Sequence, residues 1–238
     1  MTLLTIVQDA LNEIGDTEVP ASIVANPNRT AKQTLALANR SLLETARRLN
    51  WQYVSKTETL TTIINQEEYD LPSDFSRMVD TTFWNAFNRR RVFGAITPQL
   101  WARYQNLAPG ATIAQFYRIF QSATGTGLKV RFYPLPGEAV DLSYEYISNG
   151  LVEDTLGVVK PKFTADDDVS LLDEDCISLG VKWRFLKSKG YPYAEEFRDY
   201  ELAILDRGKA HGAEIVDLSG ADRFNKRIII IPDGGFGQ

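Results

Sequence analysis

The sequence predicts an α+β protein: a four-helix bundle formed by N- and C-terminal helices, an inserted, mainly antiparallel β lobe, and an extended C-terminal tail. Three observations lead there. The first 50 residues and the stretch 171–205 carry apolar residues at three- and four-residue spacing, as helices with a buried face do. Between them lie short β-branched and aromatic runs bounded by Gly, Pro, Asn or Ser, the pattern of an antiparallel sheet. The order helix–helix, β insert, helix–helix is then satisfied if the outer helices pack together and the insert forms a second lobe. The expected divisions are residues 1–52, 53–164, 165–212 and 213–238.

The first helix carries Leu3, Leu4, Ile6, Val7, Ala10, Leu11 and Ile14 on one face, with Thr2 as its cap and Gly15 as its stop. A loop with Pro20 and Pro27 follows, and Thr30 is the expected cap of a longer helix reaching about Asn50. Its stripe is Leu35, Ala38, Leu42, Ala46 and Leu49. From Trp51 the period changes. Strand runs are expected at Val54–Ile64, Glu68–Leu71, Arg77–Asn85, Arg91–Phe93, Gln115–Gln121, Leu128–Pro134 and Val140–Ile147. Thr97–Tyr104 reads as a short helix with Thr97 as cap and Pro98 at its first position.

Residues 171–205 read as a helical hairpin. Asp173, Glu174 and Asp175 suit the positive start of its first arm, Lys187 and Lys189 its end, and Gly190 its stop. That arm has two apolar stripes. One is Leu172, Cys176, Leu179, Trp183 and Leu186; the other is Ile177, Val181 and Phe185. One core needs a single stripe roughly 100° wide, so two stripes indicate a helix covered on more than one side. An assembly partner satisfies that as readily as a larger core. The second arm starts at Pro192 and carries Tyr193, Phe197, Tyr200 and Ile204.

The tail is of another character. Arg227, Ile228, Ile229, Ile230, Ile231 and Pro232 form an apolar strand-former that needs a sheet edge, in this subunit or another. A formal net charge of −5 is confined to residues 165–238, which hold ten basic and fifteen acidic groups. Tight nucleic-acid binding needs a basic face, so a DNA-binding terminator is disfavoured. No run approaches the ~18 apolar residues of a membrane span. A single cysteine leaves no internal disulfide, and the expectation is a soluble protein made in the cytoplasm.

Candidate chemistry is sparse. Asp166-Asp167-Asp168 with Asp173-Glu174-Asp175 lacks the Gly and final Glu of a calcium loop, and a solvated loop entering a helix explains it. His211 has no partner fixed by spacing and suits a helix end; Cys176 reads as a small core residue. Glu67-Glu68 and Glu195-Glu196 are nominal carboxylate pairs for a cell-wall hydrolase. Arg89-Arg90-Arg91 reads as a solvated hairpin tip or a salt-bridging surface against an acidic neighbour. Gly125-Thr126-Gly127 opens a β run, so it is no phosphate loop. No metal or cofactor is called for.

Four blocks resemble bacteriophage head-to-tail adaptor (connector) proteins, of the tail tubular protein A and tail accessory factor type of short-tailed phages. They are Tyr69-Asp70-Leu71-Pro72-Ser73-Asp74-Phe75-Ser76-Arg77, Phe132-Tyr133-Pro134-Leu135-Pro136, Tyr144-Glu145-Tyr146-Ile147-Ser148, and Lys182-Trp183-Arg184-Phe185-Leu186-Lys187 leading to Tyr193-Ala194-Glu195-Glu196. The likeness spans Leu3 to Leu205, with the blocks in the family's order. It implies a non-enzymatic virion protein that forms a dodecameric ring under the portal protein, docks a tail nozzle or tube protein, and lets DNA through the lumen without specific binding. It also implies that C-terminal extensions reach along a neighbour or the portal, which suits Arg227–Pro232. On this reading Trp183 and its companions face the bundle, while Ile177, Val181 and Phe185 face a neighbour.

Overall fold

The computed structural model describes residues 1–15, 19–106, 114–122, 125 and 127–210. The expected tail, His211 and Arg227–Pro232 therefore lie outside the described residues. The fold is α+β, with antiparallel sheets between two pairs of long helices.

Helix α1 (Leu3–Ile14) starts on Thr2, whose hydroxyl accepts the Thr5 N–H, and stops at Gly15, where φ is 73°. Helix α2 (Arg29–Arg48) begins slightly earlier than expected. Asn28, not Thr30, is its cap and accepts the Thr30 N–H at 3.0 Å, while the Asn26 side chain holds the Asn28 N–H. A single 3₁₀ turn (Gln52–Val54) leads into the sheet region.

Strands β1 (Ser55–Thr61), β3 (Phe75–Met78), β4 (Trp84–Asn85), β5 (Arg90–Arg91) and β8 (Asp141–Ser148) form one sheet in the order β1-β8-β4-β5, with β3 also on β8. β1 and β5 are its opposite edges. The expected run Arg77–Asn85 is thus two strands, broken where Thr81 takes φ 71°. Strands β2 (Glu68–Asp70), β6 (Phe116–Gln121) and β7 (Leu128–Tyr133) form a second sheet, and α3 (Pro98–Gln105) has the predicted Thr97 cap and leading proline. An aromatic core joins the two sheets. Phe83 is its centre, with ring centroids 4.9 Å from Tyr117, 5.0 Å from Tyr144 and 5.7 Å from Phe132.

A third sheet has no counterpart in the sequence reading. Strands β9 (Val152–Glu153), β10 (Val159–Lys160) and β11 (Val169–Ser170) pair in the order β10-β9-β11. Leu151, Val152 and Phe163 belong to the helical core, not to the aromatic one. The core of the helices thus recruits residues from before the boundary expected at 164.

Helices α4 (Glu174–Lys189) and α5 (Ala194–Ala210) complete the chain. Asp173 caps α4 by accepting the Cys176 N–H, and Gly190, at φ 80°, closes it. α4 packs against α1, α2 and α5. Its approach to α2 is close enough that a Cβ on Gly180 would sit 1.8 Å from Ser41 Oγ, so only glycine fits without a shift. The two cores meet at Arg77, whose guanidinium reaches from β3 to the final carbonyls of α2, at Ala46 (3.2 Å) and Leu49.

Candidate assembly surface

The two stripes of α4 are both accounted for within the subunit. Ile177, Val181 and Phe185 are each 0% exposed and lie in the core with residues of α1 and α2. This corrects the expectation that they face a neighbour: a helix packed on three sides needs apolar residues on three sides. The other stripe meets α5. Trp183 has ring centroids 5.2 Å from Phe197 and 6.2 Å from both Tyr193 and Tyr200.

Polar groups fix the same junction. Arg184, though buried, donates to Glu44 at 2.5 Å and to the Gly180 carbonyl, and stacks over Trp183. Arg48 binds Glu201 of α5 through two hydrogen bonds and reaches Glu44 at 3.4 Å. Burial alone would raise the Glu44 carboxyl, but the charges and hydrogen bonds of Arg184 and Arg48 outweigh it and hold Glu44 below its ordinary range. α2, α4 and α5 are thereby bound in register.

The expected acidic cluster is structural. Asp166 accepts the Ile23 and Val24 N–H groups, anchoring the loop between α1 and α2. Asp168 is buried and accepts from the Thr164 and Ala165 N–H groups and from Lys160. Burial opposes its charge, yet these donors hold it below the usual carboxylate range. Among the described residues no group of His, Cys, Asp or Glu is arranged to hold a metal ion. Glu68 pairs with Arg131 and Lys129, whereas Glu195 and Glu196 lie on the first turn of α5. The two hydrolase pairs are thus on different elements, and neither lines the two cavities described below. Burial pushes the Cys176 thiol up to about 12, assisted by Asp173, so it stays protonated near neutrality.

What remains available for binding is apolar surface at other places. Helix α5 buries only Tyr200, Ile204 and Gly208, leaving Leu202 (46%) and Leu205 (40%) on its outer face. Leu156 is 86% exposed on the β9–β10 turn, where the Asp154 carboxylate accepts both the Leu156 and Val158 N–H groups. Phe87 is 72% exposed at the β4–β5 tip. The signal for Leu202 and Leu205 was present in the sequence, since both fall off the Tyr193, Phe197, Tyr200, Ile204 stripe.

Two open cavities lie among the described residues. One, of about 380 Å³, is lined by Tyr53, Leu171, Leu172, Asp173, Glu174, Asp175 and Arg207. The other, of about 290 Å³, lies on the outer sheet face beside Trp84 and Tyr144. No helix among the described residues is long and apolar enough to cross a membrane. A family model described as SU10 adaptor protein matches residues 1–222. None of the curated proteins compared matches the chain.

Proposed function

Because the chain belongs to the SU10 adaptor protein family, we propose that it is a structural head-to-tail adaptor of a bacteriophage virion. In this reading it forms a dodecameric ring below the portal protein, joins the capsid to a tail nozzle or tube protein, and lets DNA pass through the lumen. The observation that carries the proposal is the family match over residues 1–222. The structure is compatible with it in a specific way: the described residues present large apolar side chains on hydrogen-bonded turns and on one helix face, while the clustered carboxylates serve as caps and ion-pair partners. Such surface suits protein partners better than substrate chemistry. We read the four long helices as one bundle around α4, and the residues Arg227–Pro232 as a strand that adds to a neighbour or to the portal.

Native mass spectrometry of the purified chain, alone and mixed with purified portal protein, tests the reading. A ring of twelve copies, free or on the portal, is expected; a chain that stays monomeric in both would overturn it. Deleting residues 224–238 should leave the monomer's melting temperature unchanged and weaken binding to portal or neighbour.

A further inference from the structure

The β4–β5 tip and the chain entering β1, which helps line the cavity at the start of α4, lie at opposite edges of one sheet. The tip is a built feature. The buried Asn85 side chain accepts the Asn88 N–H at 3.0 Å, Arg89 takes φ 51°, and the Ala86 N–H is held by the Asp141 carbonyl. This fixed turn projects Phe87 beside Arg89 and Arg90, whose side chains have no ion-pair partner among the described residues. The cavity offers the reverse. Tyr53, Leu171 and the buried Leu172 line it together with Asp173, Glu174 and Asp175. Among the described residues the ion-pair partners of these three carboxylates are the Arg207 guanidinium and the Met1 amino group, and Asp173 also accepts the Cys176 N–H as the cap of α4.

Sheet order separates the two features. Tyr53 lies in the 3₁₀ turn that leads into β1 at one edge, and the tip joins β4 to β5 at the other. A single chain therefore presents the knob on one side and the socket on the other, the arrangement of a head-to-tail contact that can close into a ring.

We propose that the socket's occupant is a second copy of this chain: Phe87 enters the cavity beside Tyr53, while Arg89 and Arg90 face Asp173, Glu174 and Asp175. The inference rests on the ring reading above and names its lateral contact. The tip's fixed shape limits the ordering cost of docking, and the aromatic–arginine pairing is typical of interface anchors.

Cysteine pairing in the assembled full chain tests it. The native Cys176 is fully buried, so the wild-type chain supplies the background. Under mild oxidation the F87C/Y53C double variant should give a ladder of disulfide-linked oligomers, with neither single variant doing so. R89E/R90E should raise the concentration needed for ring formation by about tenfold or more, and adding D175R should recover part of that loss. If the wild type forms no oligomer, free or on the portal, the ring reading itself fails. If the ring forms but is indifferent to R89E/R90E and gives no F87C/Y53C ladder, the lateral contact is wrong. Linkage of Y53C to I229C in place of F87C would assign the socket to the chain's own C-terminal segment and overturn the proposal.

Discussion

Helices α4 and α5 are neighbours in one hairpin, yet they use their apolar residues oppositely. α4 carries two stripes and turns both inward, against α1 and α2 on one side and α5 on the other. α5 carries a cleaner single stripe, but Leu202 and Leu205 stay outside it and exposed. The number of apolar residues on a helix therefore says how many neighbours it has, not whether they belong to the same chain.

Four measurements test this contrast. The largest effect is expected for Phe185→Glu, which places a carboxylate where the native ring is fully buried. It should cost about 4 kcal/mol or more and prevent folding of the isolated chain, read by circular dichroism and thermal melting. Intact melting with lost assembly would return that stripe to an interface. Gly180→Ala comes next, because the new methyl overlaps Ser41 Oγ; a loss of about 1–3 kcal/mol in urea unfolding is expected as α2 and α4 are forced apart.

The third concerns pH. Glu44 has a folded-state value below its ordinary 4.5, so its contribution is complete above about pH 4.5 and disappears as pH falls through the lower folded value. Urea midpoints measured from pH 6 to pH 3 should drop at the acid end, and Glu44→Gln should flatten part of that drop. The smallest effect on stability belongs to α5. Leu202→Ser with Leu205→Ser should change unfolding free energy by no more than about 0.5 kcal/mol per site. If that face is an interface, the pair should nonetheless weaken assembly in sedimentation experiments.

Much of the framework was legible in local chemistry. Thr2 and Gly15 bound α1, Thr97-Pro98 opens α3, and Asp173 and Gly190 bracket α4, because caps are decided by a few adjacent atoms. The α2 start was less so. Asn28 and Thr30 are both good caps, and the choice falls to Asn28, whose N–H Asn26 holds. Strands β9 to β11 were invisible because two-residue strands have no period to detect. The direction of the Phe185 stripe was unreadable for another reason. A core helix and an interface helix obey the same pattern, and only the positions of α1 and α2 distinguish them. The carboxylate pattern at Asp166 and Asp168 likewise gave no hint of its anchoring role, since the N–H groups that Asp166 meets lie about 140 residues away.

Arg77 ties the β lobe to the end of α2 through one buried charge. Its guanidinium closes the open end of α2 from the β lobe, and burial makes the charge costly to leave without those carbonyls: it lowers the Arg77 pKa. Each lobe keeps its own packed interior on either side of that joint. A load that pulls β3 away from α2 must break these helix-end contacts and also disturb β8, which gives Ile147 to the helical core and Tyr144 and Tyr146 to the aromatic one.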